Sequence, residues 1–594
     1  MRARLAVVAL ALASLVACEG RPKVGAPDKP QPRSGPSLVV LDLSAGVPEE
    51  ETSSVLSLAA RKGSFDELVL VMAGLGSSKT LKGVFVRFGS AQIGFARAQE
   101  IAEGLEKIKA SGKAVYCHAD GFTNSSMYAA LRGCSNISVS PAGEVETVGI
   151  AAQIVYMHKL LAEELHLSID IMQVGKYKGA EEPLTRDGPS DEARASLEGV
   201  LTSFREAWLT GVRDSRGAEA SDALEDGPYT PERAKALKLV DAIAYADDAQ
   251  EAARKAVDAV RDEVLFGRGS QEGKSDDLDE ILRAFGGGGG APVALVRASG
   301  SISMGGGGES PLGGSEGITE RRMDRILARL AKDDDVRAVV LRIDSPGGSA
   351  LASDLIWHRL MQLREKKTLI VSVGDMAASG GYFMACTGNV VFAEPGSIVG
   401  SIGVVGGKVA IGHALEKVGI HAETFPAAKK PTAAARATYP SLFDEWDDAT
   451  KARVLESMTG IYDLFLARVA EGRKTTVDKI APYAEGRIWS GTQGKERGLV
   501  DELGGLGAAI AKARELAKLP ADAEVEAVGG PPGMIERLVG ASVESLPVGP
   551  QGEAGLAREV LATVPGVSAF VGSLLPLVRG ERALAALPYA LVIR

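Results

Sequence analysis

The chain has 594 residues, 45% of them hydrophobic and 24% charged, with a formal net charge of −10. That length exceeds what one hydrophobic core supports and implies two or more domains. An acidic, soluble composition without any Lys/Arg-rich run argues against nucleic acid as a partner.

The N-terminus carries a targeting signal. A short basic start, Met1-Arg-Ala-Arg4, precedes an apolar stretch from Leu5 to Leu15. About 20 apolar residues are needed to cross a bilayer, so the pattern is a secretory leader and not a span. It ends in Leu15-Val-Ala-Cys18, which resembles the bacterial lipobox, whose Cys is acylated and becomes the mature N-terminus. Residues 1–17 are thus expected to be a lipoprotein signal peptide and 18–36, rich in Pro, Gly and Lys, a flexible tether. The expected location is the cell envelope, lipid-anchored and facing the periplasm. Glu19 leaves open which membrane holds the anchor.

Each half of the chain alternates strand-like and helix-like runs, which argues for parallel α/β layers. In the first half Gly83 to Gly89 and Lys113 to Ala119 read as strands. Cys117 lies in the second of these and Cys134 just after the following helical run. A ten-residue helix spans about 15 Å, so the two are expected to be unpaired, buried small hydrophobes, as is Cys386. No Cys or His spacing suggests a metal, and no cofactor motif is present. Gly286 to Gly290 reads as an interdomain linker, and Gly305 to Gly317 as a surface loop near the site.

In the second half, strands are expected at Pro292 to Ala298, Ala338 to Ile343, Leu369 to Val373, Val390 to Phe392 and Ser401 to Val405. Helices are expected at Thr319 to Lys332 and Ala350 to Arg364. Two Gly-rich strand-to-helix turns stand out, Ser345-Pro-Gly-Gly348 and Gly374-Asp-Met-Ala-Ala-Ser379-Gly-Gly-Tyr382. Acyl transfer needs a nucleophile, a base and oxyanion donors. Ser379 at a helix start meets the first need, and the amides of Gly348 and Gly380 could meet the third. All six histidines lie outside these turns, so nothing supports a Ser-His-Asp triad.

The halves repeat each other. Arg342 and Arg87 are 342 − 87 = 255 residues apart, and Tyr382 and Tyr128 are 382 − 128 = 254 apart. Pro395 matches Pro141, Gly403 matches Gly149, and Leu499-Val-Asp501 matches Leu239-Val-Asp241 in the same order. The implied domains are 37–285 and 292–519, joined by 286–291 and followed by a C-terminal extension, 520–594. In the first half Asn124-Ser-Ser-Met-Tyr128 and Ala91-Gln-Ile93 replace the glycine turns, so Ser125 is expected to be inert.

The turns at Ser345 and Asp375, with Gly400-Ser-Ile-Gly403, resemble the signal peptide peptidase A family, also called protease IV, in its long two-domain form. The resemblance implies two tandem domains with a Clp protease/crotonase-like fold and a Ser–Lys peptidase. It implies Ser379 as nucleophile, Gly348 and Gly380 as the oxyanion hole, and Ser401 as the residue that orients the lysine. The base is implied to be Lys178, in Gly175-Lys-Tyr-Lys178-Gly-Ala-Glu-Glu-Pro183, with Lys430 a fallback. The implied substrates are short apolar peptides such as cleaved signal peptides, and the implied assembly is a tetramer-like homo-oligomeric ring. A crotonase-like acyl-thioester enzyme and an exported scaffold with a vestigial dyad remain as alternatives.

Overall fold

A computed structural model describes residues 35–50, 63–76, 78, 80–267, 291–305, 317–528 and 583–586. The leader with Cys18, most of the tether, the 286–290 linker and most of the 305–317 loop lie outside the described residues.

The first half forms a sheet ordered Ala242–Ile243, Asn136–Val139, Ala114–Ala119, Leu81–Arg87, Ser37–Asp42, Arg261–Phe266, with every pairing parallel. The second half repeats this order with Glu502–Leu503, Val390–Ala393, Thr368–Ala378, Ala338–Ser345, Val293–Ser299 and Val525–Val528. A side branch, Ile398–Gly400 and Ile488–Ser490, extends from the far end of Thr368–Ala378. The matched Leu-Val-Asp tripeptides serve one purpose in both halves. Asp241 Oδ2 accepts from Ile137 N at 2.7 Å and Asp501 Oδ2 from Val391 N at 2.7 Å. Arg216 and Arg473 pair with these two aspartates in turn. The molecule is therefore a tandem of two α/β units of the kind the resemblance implied.

Near-continuous apolar runs such as Val39-Val40-Leu41 and Val339-Val340-Leu341 suit parallel strands covered on both faces. Alternate residues face opposite ways. In the second sheet Val293, Leu295, Val340 and Ile370 join the core that also holds Val39, Val84 and Val86 of the first half. Ala294, Val296, Val339 and Leu341 face a separate core. One hydrophobic core thus runs across the boundary between the halves.

Charges are buried at the same boundary. Arg342, 2% exposed, donates to Glu49 at 2.7 and 3.1 Å and pairs with Glu100 at 2.7 Å. Arg97 Nε donates to Asp375 Oδ2 at 2.9 Å, and Gly396 N donates to Gln99 Oε1 at 2.7 Å. Each of these contacts joins a first-half residue to a second-half one.

Two expectations are corrected. Cys117 and Cys134 form a disulfide with Cα atoms 6.0 Å apart, while Cys386 is free and buried. The helix Asn124–Gly133 does carry the chain a long way, but the strands before and after it, Ala114–Ala119 and Asn136–Val139, are parallel neighbours, so it carries the chain back towards Cys117. Its length therefore closes the distance instead of opening it. The expected strand from Ser401 to Val405 is broken: Ile398–Gly400 ends in one sheet and Val404–Ala410 begins in another. Ser401, at φ 53°, makes the corner.

A third sheet is assembled from distant pieces, in the order Ile318–Thr319, Ile302–Ser303, Gly347–Ser349, Ala583–Ala586, Val404–Ala410, Ser168–Val174. The last strand belongs to the first half and pairs antiparallel with Val404–Ala410, Val174 opposite Val404.

Candidate active site

Ser379 ends the long strand Thr368–Ala378 and caps the short helix Gly380–Ala385. Its backbone is at φ 56° and ψ −115°, a region that L-residues other than Gly seldom occupy. Three fixed contacts hold it there: Ser379 N donates to Gly400 O at 2.8 Å, and Tyr382 N and Phe383 N donate to Ser379 O. Small neighbours are needed because a side chain at Gly381 would meet Ser345 O at 2.7 Å. The Ser345 turn therefore lies against the helix that Ser379 caps, and Gly348 and Gly380 are both buried there.

Lys178 arrives from the first half. The strand Ser168–Val174 delivers it, and a turn at Gly175, φ 105°, swings it inward. Tyr177 N donates to Glu485 O at 2.8 Å, Gly486 N to Ile402 O at 2.7 Å, and Ser401 N to Arg487 O at 2.7 Å. The Lys178 turn and the Ser401 corner are thus both bound to the segment 485–487. Sequence reading missed that segment, whose only signal was a glycine between two charged residues.

Within one chain, Lys178 Nζ lies 2.7 Å from Ser379 Oγ, 3.0 Å from Ser401 Oγ and 3.0 Å from Ser401 O. Lys178 is 1% exposed and both serines are fully buried. Burial pushes the lysine well below its ordinary pKa, because a charged ammonium would lose its water. Among the described residues no carboxylate bonds to it. A neutral amine has two N–H donors and one lone pair. The two Ser401 oxygens match the donors, which leaves the lone pair for the Ser379 hydroxyl.

The other candidates lie elsewhere. Lys176 is exposed and pairs with Glu485, and Lys429 and Lys430 are exposed. Ser125 sits inside the helix Asn124–Gly133, whose cap is Thr123 at an unstrained φ of −93°. Among the described residues no histidine bonds to Ser379. The buried His118 bonds to Ser138 and Ser140 in the first half.

The family model for peptidase family S49 matches residues 107–260 and 361–520, once in each half. "Protease 4" of Salmonella typhi is 32% identical over 437 residues, 70% of this chain and 66% of that protein. "Serine protease SPPA, chloroplastic" of Arabidopsis thaliana is 30% identical over 457 residues, 75% of this chain and 65% of that protein. "Protease 4" of Haemophilus influenzae is 30% identical over 444 residues, 72% of this chain and 68% of that protein. The alignments thus cover just under two thirds of the first two relatives' own length. The chain belongs to peptidase family S49, in the long form that carries the family's domain twice.

Proposed function

We propose that the protein is a serine endopeptidase of the cell envelope that hydrolyses short apolar peptides with a Ser379–Lys178 dyad. The observation that carries the reading is the 2.7 Å contact between Lys178 Nζ and Ser379 Oγ at a site where the lysine is buried without a counter-charge. Neutral Lys178 takes the hydroxyl proton as Ser379 Oγ attacks the scissile carbonyl. The amides of Gly348 and Gly380 receive the developing oxyanion. The lysine then gives its proton to the departing amine, leaving an acyl-Ser379 ester. Water, deprotonated by the same lysine, hydrolyses that ester and restores both residues. Ser401 holds Nζ on the line of attack.

Peptides left in the membrane after secretion, such as cleaved signal peptides, are the proposed substrates. A lipid on Cys18 is the proposed anchor, and a homo-oligomeric ring the proposed assembly. The Cys117–Cys134 disulfide supports an oxidising compartment such as the periplasm. Mass analysis of the mature N-terminus checks the anchor: an unmodified residue there, or an uncleaved leader, rules it out.

The decisive experiment is hydrolysis of a short apolar peptide ester. Ser379→Ala, which lacks the nucleophile, should abolish hydrolysis, and Lys178→Ala should lose about 10²-fold or more, the usual worth of a general base. Ser125→Ala should match the wild type. More than half the activity surviving in Lys178→Ala would remove the dyad.

A further inference from the structure

The third sheet contains a strand whose place needs explaining. Ala583–Ala586 lies between Gly347–Ser349 and Val404–Ala410, antiparallel to both. Gly348 faces Ala585, Ser349 faces Leu584, and Val405 faces Leu584 on the other side. The flanking strands are those that border the site: one carries Gly348, and the other begins three residues after Ser401 (404 − 401 = 3). The strand also lies against the helix that starts at Gly380.

Take this strand away and the sheet separates into two facing edges, each with unpaired N–H and C=O groups. Neighbouring strands are about 4.8 Å apart, so the slot left would be about 10 Å wide, the room one extended peptide needs. Adding a peptide strand to open edges gives affinity through the main chain and selectivity through side-chain pockets. The pocket is visible. Leu584 is completely buried against Ile171, Ala180, Leu184 and Val405. Three of those four residues come from the first half, on the segment that also carries Lys178.

We propose that residues 583–586 are a built-in occupant of the peptide-binding cleft, an internal competitor that a substrate must displace. The proposal rests on the Ser379–Lys178 site being the catalytic one. The slot takes an extended peptide, and the Ile171–Ala180–Leu184–Val405 pocket takes a leucine-sized apolar side chain of it. Leu584 fills that pocket when no substrate is present. If the strand is out of the slot in about one molecule in ten, a peptide binds about tenfold more weakly than to an empty slot.

The test measures binding, so that it stands apart from catalysis. In a Ser379→Ala background, the affinity for a fluorescent leucine-containing apolar octapeptide is compared among three chains. These are the full-length chain, its C-terminus confirmed by intact mass, a chain ending at residue 582, and full-length Leu584→Asp. The internal competitor predicts about tenfold tighter binding in the last two. Equal affinity in all three overturns it. So does weaker binding in both variants while they still unfold cooperatively, since the strand would then be part of the site's framework. Residual hydrolysis by Ser379→Ala would count against the nucleophile alone and leave the affinity comparison intact.

Discussion

Gly486 leaves no room for a side chain against Lys178: a Cβ built there would lie 2.4 Å from Lys178 Cα. Its φ of 80° disfavours any L-residue as well. Gly486→Ala should therefore push the lysine off the Ser379 hydroxyl. A loss in kcat of about 10²-fold is expected, approaching that of Lys178→Ala, since the proposed base is displaced and not removed. Wild-type kcat in a folded Gly486→Ala enzyme would show that the lysine's placement does not depend on this contact.

Burying Lys178 should cost stability. Its pKa is lowered in the folded state, so the unfolded chain binds the extra proton between the folded and unfolded values. Stability then rises with pH across that window, by about 1.4 kcal/mol per unit. Lys178→Met keeps the shape without the charge. It should be inactive yet melt higher than the wild type at pH 7, with the gap narrowing as the pH approaches 10. A variant that melts lower at every pH would contradict the burial penalty.

Glu394 is fully buried, and burial first, then the nearby Glu103 and Glu100 carboxylates, raise its pKa well above the ordinary value. The folded state therefore holds a proton that the unfolded chain releases above about pH 4.5. The stability from this group is complete below that pH and declines as the pH climbs towards the raised value. In thermal melts, Glu394→Gln should gain on the wild type between pH 5 and pH 8. A constant difference across that range would mean that the folded state does not keep Glu394 protonated.

The Cys117–Cys134 bridge closes a loop with a sequence separation of 17, worth about 3 kcal/mol by chain entropy. Replacing both with Ser should lower the urea midpoint accordingly. Activity at 25 °C should persist, as the bridge lies away from the Ser379 turn. An unchanged midpoint would imply that the thiols are not joined.

Local signals carried much of this structure. The helix expected at Ala350 to Arg364 is present over those residues. The Gly-rich turns announced Ser379, because only small residues fit where a strained serine opens a helix. Lys178 needed the family likeness, since nothing in a Tyr-Lys pair tells a buried base from a solvated charge. What stayed hidden depended on contacts far apart in the chain. Arg342 and Arg87 matched as repeat anchors, yet Arg342 is buried between two glutamates while the side chain of Arg87 is 39% exposed beside Asp120. Periodicity cannot distinguish them. The disulfide depended on the direction of a helix, and the strand 583–586 sat in what read only as an extension.

The strand Ser168–Val174 finds its partner 404 − 174 = 230 residues later in the chain. As the polypeptide emerges during synthesis, this edge and the carboxylates of Glu49 and Glu100 must wait in water until Val404–Ala410 and Arg342 have followed. An uncovered strand edge is a template for pairing with the wrong chain. The first half is thus committed to an unfinished state for the time needed to deliver the second. A chain stalled between the halves would be prone to aggregate and would not persist as a free-standing domain.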